Sequence, residues 1–466
     1  MNSEKNKKPL HLKPSQAIMA GFALMILIGT LLLSLPIASK SGESIGFLNA
    51  LFTATSSNCL VGLVVVNTME YWTWFGKIVI LALIQFGAMG FVTVMTIVML
   101  ATHRQITLRY RQVIQASFIQ DNIGGMVKLV KRVILVTLIF ESVGAVLLAI
   151  SFYAGSSMTV FESIYQGVFH SISAFCNAGV DNIGTDSLTP FQGNVPVNLI
   201  IMVLIIAGGL GFTVWSEIWD TLKNPHKRSL HQQIIHLSLH SKVVFVVSGA
   251  LIVSGMVFFL LLEWSNPETL GFLPPWQKVQ AALFQSVSLR TTGFNTIPQE
   301  GLTEASLTFS GVLMMIGGSP VSTSGGIKTV TVGVIIFAML SVLKGHNKLE
   351  AFGRTLPLDL LQKALTVVST MLIVVFVSTF LLLFTEQSNP YPHTFFDLLL
   401  ESCSAASTTG ISLGITSHLS AAGKIVIIIC MYLGRLSPVM VVVSLNMRLH
   451  THADGILFPQ ERVIIG

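Results

Sequence analysis

Four short stretches carry the residues whose types and spacing suit cation chemistry. They read FTATSSNCLVGL (52–63), FHSISAFCNAGV (169–180), LFQSVSLRTTGF (283–294) and LESCSAASTTGI (400–411). Each ends on a glycine flanked by apolar or small residues: Gly62, Gly179, Gly293 and Gly410. These glycines are 117, 114 and 117 residues apart by their numbers, so one repeat fills a chain of 466 residues four times over. None of the four stretches is apolar enough to span a bilayer. Each can start as a half-helix whose carboxyl end, the negative end of its dipole, favours a cation. The chain then returns with backbone carbonyls free to replace a cation's hydration shell. Glycine suits such a return because no Cβ stands between its carbonyls and a central axis.

The elements that must position these loops are legible from hydropathy. Apolar residues make up 52% of the chain and charged residues 10%, with a mean hydropathy of +0.74. A soluble domain carries about 25% charged residues, so the chain reads as a polytopic membrane protein. Apolar runs near 20 residues flank every loop. Repeat one places spans at about 17–36 and 73–101 around the loop 47–63, and repeat two at 128–154 and 196–222 around 161–181. Repeat three places them at 241–264 and 306–343 around 276–294, and repeat four at 362–385 and 420–447 around 394–412. The expected fold is all-α, with four tandem helix–pore loop–helix repeats around a pseudo-fourfold axis, eight transmembrane helices and four re-entrant half-helices. In domain terms this gives a cytoplasmic tail 1–16, repeat one over 17–101, repeat two with its leading loop over 102–222, and repeat three over 223–343. Repeat four follows with its loop over 344–447, then a cytoplasmic tail 448–466.

Charge fixes the orientation. Lys and Arg concentrate in the N-terminal tail, between Arg104 and Arg132, between Lys223 and Lys242, between Lys344 and Lys363, and at Arg448 and Arg462. With eight spans all five places share one side, and the other side holds only Lys40, Lys77, Lys278 and Lys424. The positive-inside rule makes the rich side cytoplasmic, in a multi-pass protein of a bacterial plasma membrane with both termini inside. The net charge of +6 is then a consequence of topology, which removes the case for nucleic acid. The polar, basic N-terminus lacks a small-residue cleavage site, so no cleaved signal is expected. Cys59, Cys176, Cys403 and Cys430 form no CxxC, and neither disulfides nor a metal site beyond the transported ion is expected.

A second stretch breaks the last span of repeat three: Gly317, Gly318, Ser319, Pro320, Val321, Ser322, Thr323, Ser324, Gly325, Gly326, Ile327 and Lys328. Four glycines and a proline cannot continue a helix, and broken backbone at membrane depth is tolerated where it lines a cavity. It is not a phosphate-binding loop, because Ile327 separates Gly326 from Lys328 and no strand precedes it. Arg435 lies within the last span, where an arginine marks either a functional charge or a structural pair with a buried acid or helix carbonyls. Glu141, in the third span, is a lone acid. Arg290 sits three residues before its glycine and needs a partner, for which Glu401 is one candidate. Asn177, Asp181 and Asn295 stand at the glycine level, either supporting the loops and attracting cations or capping them. His226, His231, His236 and His240 have the spacing of a surface helix rather than a metal site. Nothing in the chain suggests catalysis, and no GxGxxG opens a nucleotide-binding unit.

Together, the four repeats, the single glycine per loop and GGSPVSTSGGIKT resemble the Trk/Ktr/HKT superfamily of potassium transporters, most nearly the membrane subunit of a bacterial Ktr system. The resemblance spans essentially the whole chain. It implies potassium as the substrate, taken up through one pore per subunit of a homodimer, with no covalent cofactor. It also implies a cytosolic nucleotide-binding regulatory ring of the RCK/KTN type and allows sodium as a coupling or activating ion. On these residues it implies a filter built from Val61, Gly62, Asn177, Ala178, Gly179, Thr291, Thr292, Gly293, Thr408, Thr409 and Gly410. Glycine in all four loops matches a preference for potassium, whereas Val61 departs from the threonine more usual in the family. The resemblance makes 317–328 a flexible gate beneath the filter, with Arg435 projecting toward it. The loops 103–132 and 223–242 and the turn at Glu461 and Arg462 are the expected docking surfaces for a regulator, and the final VIIG is expected at a dimer interface. A sodium-coupled carrier for another solute is the alternative, but such carriers show two halves rather than four quarters.

Overall fold

A computed structural model of the chain describes residues 14–90, 93, 96, 126–184, 186–223, 237–345 and 348–436. Residues 1–13 of the expected N-terminal tail, the expected C-terminal tail, residues 103–125 of the loop 103–132, His226, His231, His236, Glu461, Arg462 and the final VIIG lie outside them. Helices dominate, and the one sheet among the described residues is a hairpin of β1 (Glu350–Ala351) and β2 (Arg354–Thr355).

Each repeat opens with a long apolar helix: α1 (Pro14–Leu33), then further along the chain Met126–Gly155, Leu239–Glu263 and Leu358–Thr385. All four contain a stretch long and apolar enough to cross a membrane. A short helix follows in each repeat: α2 (Phe47–Cys59), then Val160–Phe175, Pro275–Ser288 and Phe395–Ser407. Their starts follow from local chemistry. Thr159 with Glu162 and Thr394 with Asp397 form capping boxes, and Pro275 takes the first helical position, where its missing N–H costs nothing.

The third helix of each repeat starts on a polar cap: Thr73 for α3 (Trp74–Met89), Asn194 for Val195–Gly209, Thr303 for Glu304–Met315 and Ser420 for Ala421–Arg435. Each cap accepts an amide from the first turn. Within the described residues these helices run 16, 15, 12 and 15 residues, and the later parts of the expected spans 73–101 and 420–447 lie outside them.

Here the structure corrects the expectation of an unbroken span at 196–222. The chain bends by 96° between Val195–Gly209 and the helix Phe212–Lys223. The cause is Gly208-Gly209-Leu210-Gly211. Gly211 has φ +93°, and a Cβ there would meet the Pro320 carbonyl at 2.6 Å. The bend exposes the Gly208 and Gly209 carbonyls and the Phe212 amide, and the glycine-rich segment of repeat three takes up all three. The predicted break in 306–343 is present, with helices at Glu304–Met315 and Thr329–Leu343.

Repeats three and four share an anchor that their apolar patterning conceals. Glu263, at the end of its helix, accepts from the Thr303 amide (3.0 Å), from Thr303 Oγ1 (2.7 Å), from Asn266 Nδ2 and Thr269 Oγ1 (both 2.6 Å), and from Ser306 Oγ. Glu386 does the same work in repeat four, accepting from the Ser420 amide and hydroxyl and from Asn389 Nδ2. Both carboxylates are fully buried, and each fixes the outer end of its repeat's third helix to the first. Glu263→Ala would strand several buried donors at once, a loss of about 3 kcal/mol. The expected result is an apparent melting temperature several degrees lower in detergent, with Lys363→Ala, which breaks only an exposed pair with Asp359, leaving it unchanged.

Candidate functional site

The four loops meet in one place. Their glycines all take left-handed φ, +90° at Gly62, +63° at Gly179, +93° at Gly293 and +89° at Gly410. A Cβ on Gly62 would stand 2.6 Å from the Ala178 carbonyl oxygen. On Gly179 it would collide with the Thr292 carbonyl, on Gly293 with that of Thr409, and on Gly410 with that of Val61, all closer still. Each glycine therefore abuts the carbonyl just before the glycine of the next repeat, and the contacts close into a ring of four. Only residues without a Cβ allow this approach.

Two residues before each glycine the backbone is again left-handed, at Leu60, Asn177, Thr291 and Thr408. Leu60 belongs to this set although its side chain gives no hint of it, so it was absent from the expected filter residues. Because the short helices end within three residues of these positions, four carboxyl termini converge on the ring. The hydroxyls of Thr291 and Thr408 are buried and find no hydrogen-bond partner among the described residues. Outside the ring lies a vestibule of about 570 Å³ lined by all four glycines, with Asp181, Asp186 and Glu300 in its wall. Acidic groups in a concave wall raise the local cation concentration.

The segment 317–328 lies on the other side of the ring. Its base is closed by the Gly317 amide on the Ile327 carbonyl and the Ile327 amide on Met315, both at 2.9 Å, which leaves a tongue between them. The Ser319 and Thr323 amides donate to Gly209 and Gly208, and the Val321 carbonyl accepts from Phe212. Three loops touch the tongue at their left-handed residues. Asn177 Nδ2 donates to Ser324 Oγ at 3.1 Å, and Thr323 Oγ1 donates to Asn177 Oδ1 at 3.2 Å. Gly325 packs against the Thr408 side chain and Gly317 against Thr291 Cγ2, with no room for a Cβ at either. Lys328 Nζ donates back to the Ser324 carbonyl at 2.6 Å.

Arg435 ties the tongue to the first repeat. One nitrogen donates to the Thr323 carbonyl (2.6 Å) and another to the Gly87 carbonyl (2.7 Å). Its partners are carbonyls of the tongue and of a helix end. Arg290 and Glu401 do not pair among the described residues. Arg290 faces the first helix of its own repeat and donates to Ser248 Oγ at 3.2 Å, while Glu401 is fully buried and accepts from Thr416 Oγ1 at 2.5 Å. Glu141 does have partners: Gln85 Nε2 at 3.1 Å and Cys176 Sγ at 3.5 Å. All four cysteines are free and buried. His240 stands apart from any metal cluster among the described residues, with Thr213 Oγ1 3.4 Å from its Nε2.

Residues 2–451 match the family model described as TrkH, cation transport protein. The chain belongs to the TrkH family. It is 36% identical over its full length to the whole of the Ktr system potassium uptake protein B of Bacillus subtilis. It is 34% identical, again over all of both chains, to the potassium/sodium uptake protein NtpJ of Enterococcus hirae. The crystal structure of the potassium transporter TrkH from Vibrio parahaemolyticus shares the fold, with a TM-score of 0.72 at 17% identity, covering 95% of this chain and 87% of that one. TrkH-family proteins are membrane transporters rather than enzymes, and this one is a multi-pass member with several apolar helices.

Proposed function

We propose that this chain takes up potassium across the bacterial plasma membrane, with the ring of loop carbonyls as selectivity filter and the tongue 317–328 as gate. The observation that carries this reading is the closure of the ring: four glycines, each packed against the carbonyl that precedes the next repeat's glycine. A potassium ion entering from the acidic vestibule sheds water and is received by the carbonyls of Val61, Ala178, Thr292 and Thr409, with the free hydroxyls of Thr291 and Thr408 as further oxygens at the inner end. The converging helix ends stabilise the ion while it is partly dehydrated.

Beneath this ring the tongue closes the path. Arg435 holds it there, Lys328 folds it back on itself, and both place positive charge below the ion, which opposes passage until the tongue moves. Arg435→Gln removes both ties and the charge. The expected result is faster uptake at saturating potassium with the half-saturating concentration little changed, measured by rubidium or potassium flux in cells.

The names of the relatives support potassium as the ion and leave sodium as a coupling or activating ion. A Ktr-type system also fits a second, cytosolic nucleotide-binding subunit of the RCK/KTN type acting on a homodimer whose termini face the cytoplasm. Expression in a bacterial strain stripped of its own potassium uptake systems, together with a matching regulatory subunit, is expected to restore growth at limiting potassium. Absence of rescue with the protein present in the membrane would overturn the reading.

A further inference from the structure

Each filter strand is backed by a serine that the account above does not use. Ser56, Ser173, Ser288 and Ser404 sit five or six residues before their glycines, near the end of each short helix. In every repeat the serine carbonyl accepts an amide from the strand: Val61, Ala178, Gly293 and Thr409. The four side chains then differ. Ser173 Oγ donates to the Val180 carbonyl at 2.7 Å, and Ser288 Oγ donates to the Phe294 carbonyl at 2.5 Å. Ser404 Oγ instead accepts from the Gly410 amide at 2.9 Å. Ser56 Oγ is buried without a partner among the described residues, beside a void of about 10 Å³ that Leu63 also lines.

The two acceptors, Val180 and Phe294, immediately follow the ring glycines. A carbonyl held back to the short helix cannot swing toward the axis, and the peptide plane that carries it is fixed. That plane meets, at the Cα of Val180 or Phe294, the neighbouring plane that carries the ring glycine's carbonyl. Repeats two and three are thus braced from behind, repeat four is braced through its glycine amide, and repeat one has no such brace. A buried hydroxyl-to-carbonyl bond is also costly to lose, because the carbonyl is left without a partner.

We propose that Ser173 and Ser288 are positioning residues for ion discrimination: through Val180 and Phe294 they set the width of the oxygen ring, and Ser56 does not. The proposal rests on the ring being the filter. The test measures rubidium uptake against rising sodium and against rising potassium in cells expressing the full chain with its regulatory subunit. S173A and S288A are expected each to lower the preference for potassium over sodium roughly three- to tenfold, the range one lost hydrogen bond supports. S56A, an internal control at the matching position, is expected to leave it unchanged. S173C and S288C, which keep a weak donor, are expected to fall between, and they remain informative if an alanine variant is poorly inserted. An unchanged preference in S173A and S288A with uptake intact would overturn the proposal, as would an equal loss in S56A, which would mark a general packing effect. No potassium preference in the unmodified protein would instead overturn the filter reading itself.

Discussion

Deleting residues 319–324 is expected to raise potassium flux at least tenfold while leaving the preference for potassium over sodium intact. The base of the tongue survives the deletion, because the bonds of Gly317 and Ile327 lie outside it. What disappears is the set of contacts that keeps the tongue beneath the ring: the Ser319 and Thr323 amides on Gly209 and Gly208, the Asn177 side chain on Ser324, and Arg435 on Thr323. Losing even two such bonds, about 2 kcal/mol together, shifts a closed–open equilibrium roughly thirtyfold. Flux measured with and without the regulatory subunit checks it. The deletion variant should transport nearly as fast without the subunit as with it, and unchanged flux would remove the tongue from any gating role.

Replacing a ring glycine has the opposite character. Gly293→Ser is expected to raise the half-saturating potassium concentration tenfold or more and to admit sodium, because its φ of +93° disfavours any side chain and the Cβ would push the Thr409 carbonyl from the ring. Gly179→Ala is expected to be more severe. Its Cβ would overlap the Thr292 oxygen most deeply of the four, so that both the second and third loops must shift. Concentration-dependent uptake, set beside the elution profile of the purified variant, separates a damaged ring from a misfolded protein. Wild-type uptake at low potassium in Gly293→Ser would refute its place in the filter.

Much of this was legible because the chain says the same thing four times. The glycines, the short helices and the break after Met315 stand out through period and composition alone. What stayed hidden depends on backbone conformation and on contacts between elements far apart in the sequence. Leu60 looks apolar, yet it shares a backbone conformation with Asn177, Thr291 and Thr408, a property its side chain does not encode. The bend at Gly211 lies within an apolar run that hydropathy reads as continuous, and its broken backbone bonds are made good by the tongue more than a hundred residues later. The roles of Glu263 and Glu386 emerge only when their donors are seen to come from the start of the repeat's third helix, 40 and 34 residues on. Arg290 and Glu401 invited pairing by charge, but each bonds to a different partner.

The most direct test is the position of the ion. Crystals of the protein grown in rubidium or thallium should give an anomalous peak on the axis, equidistant from the carbonyl oxygens of Val61, Ala178, Thr292 and Thr409, and the peak should weaken when sodium replaces the heavier ion. Ordered ions in the vestibule alone, with none inside the ring, would contradict the account.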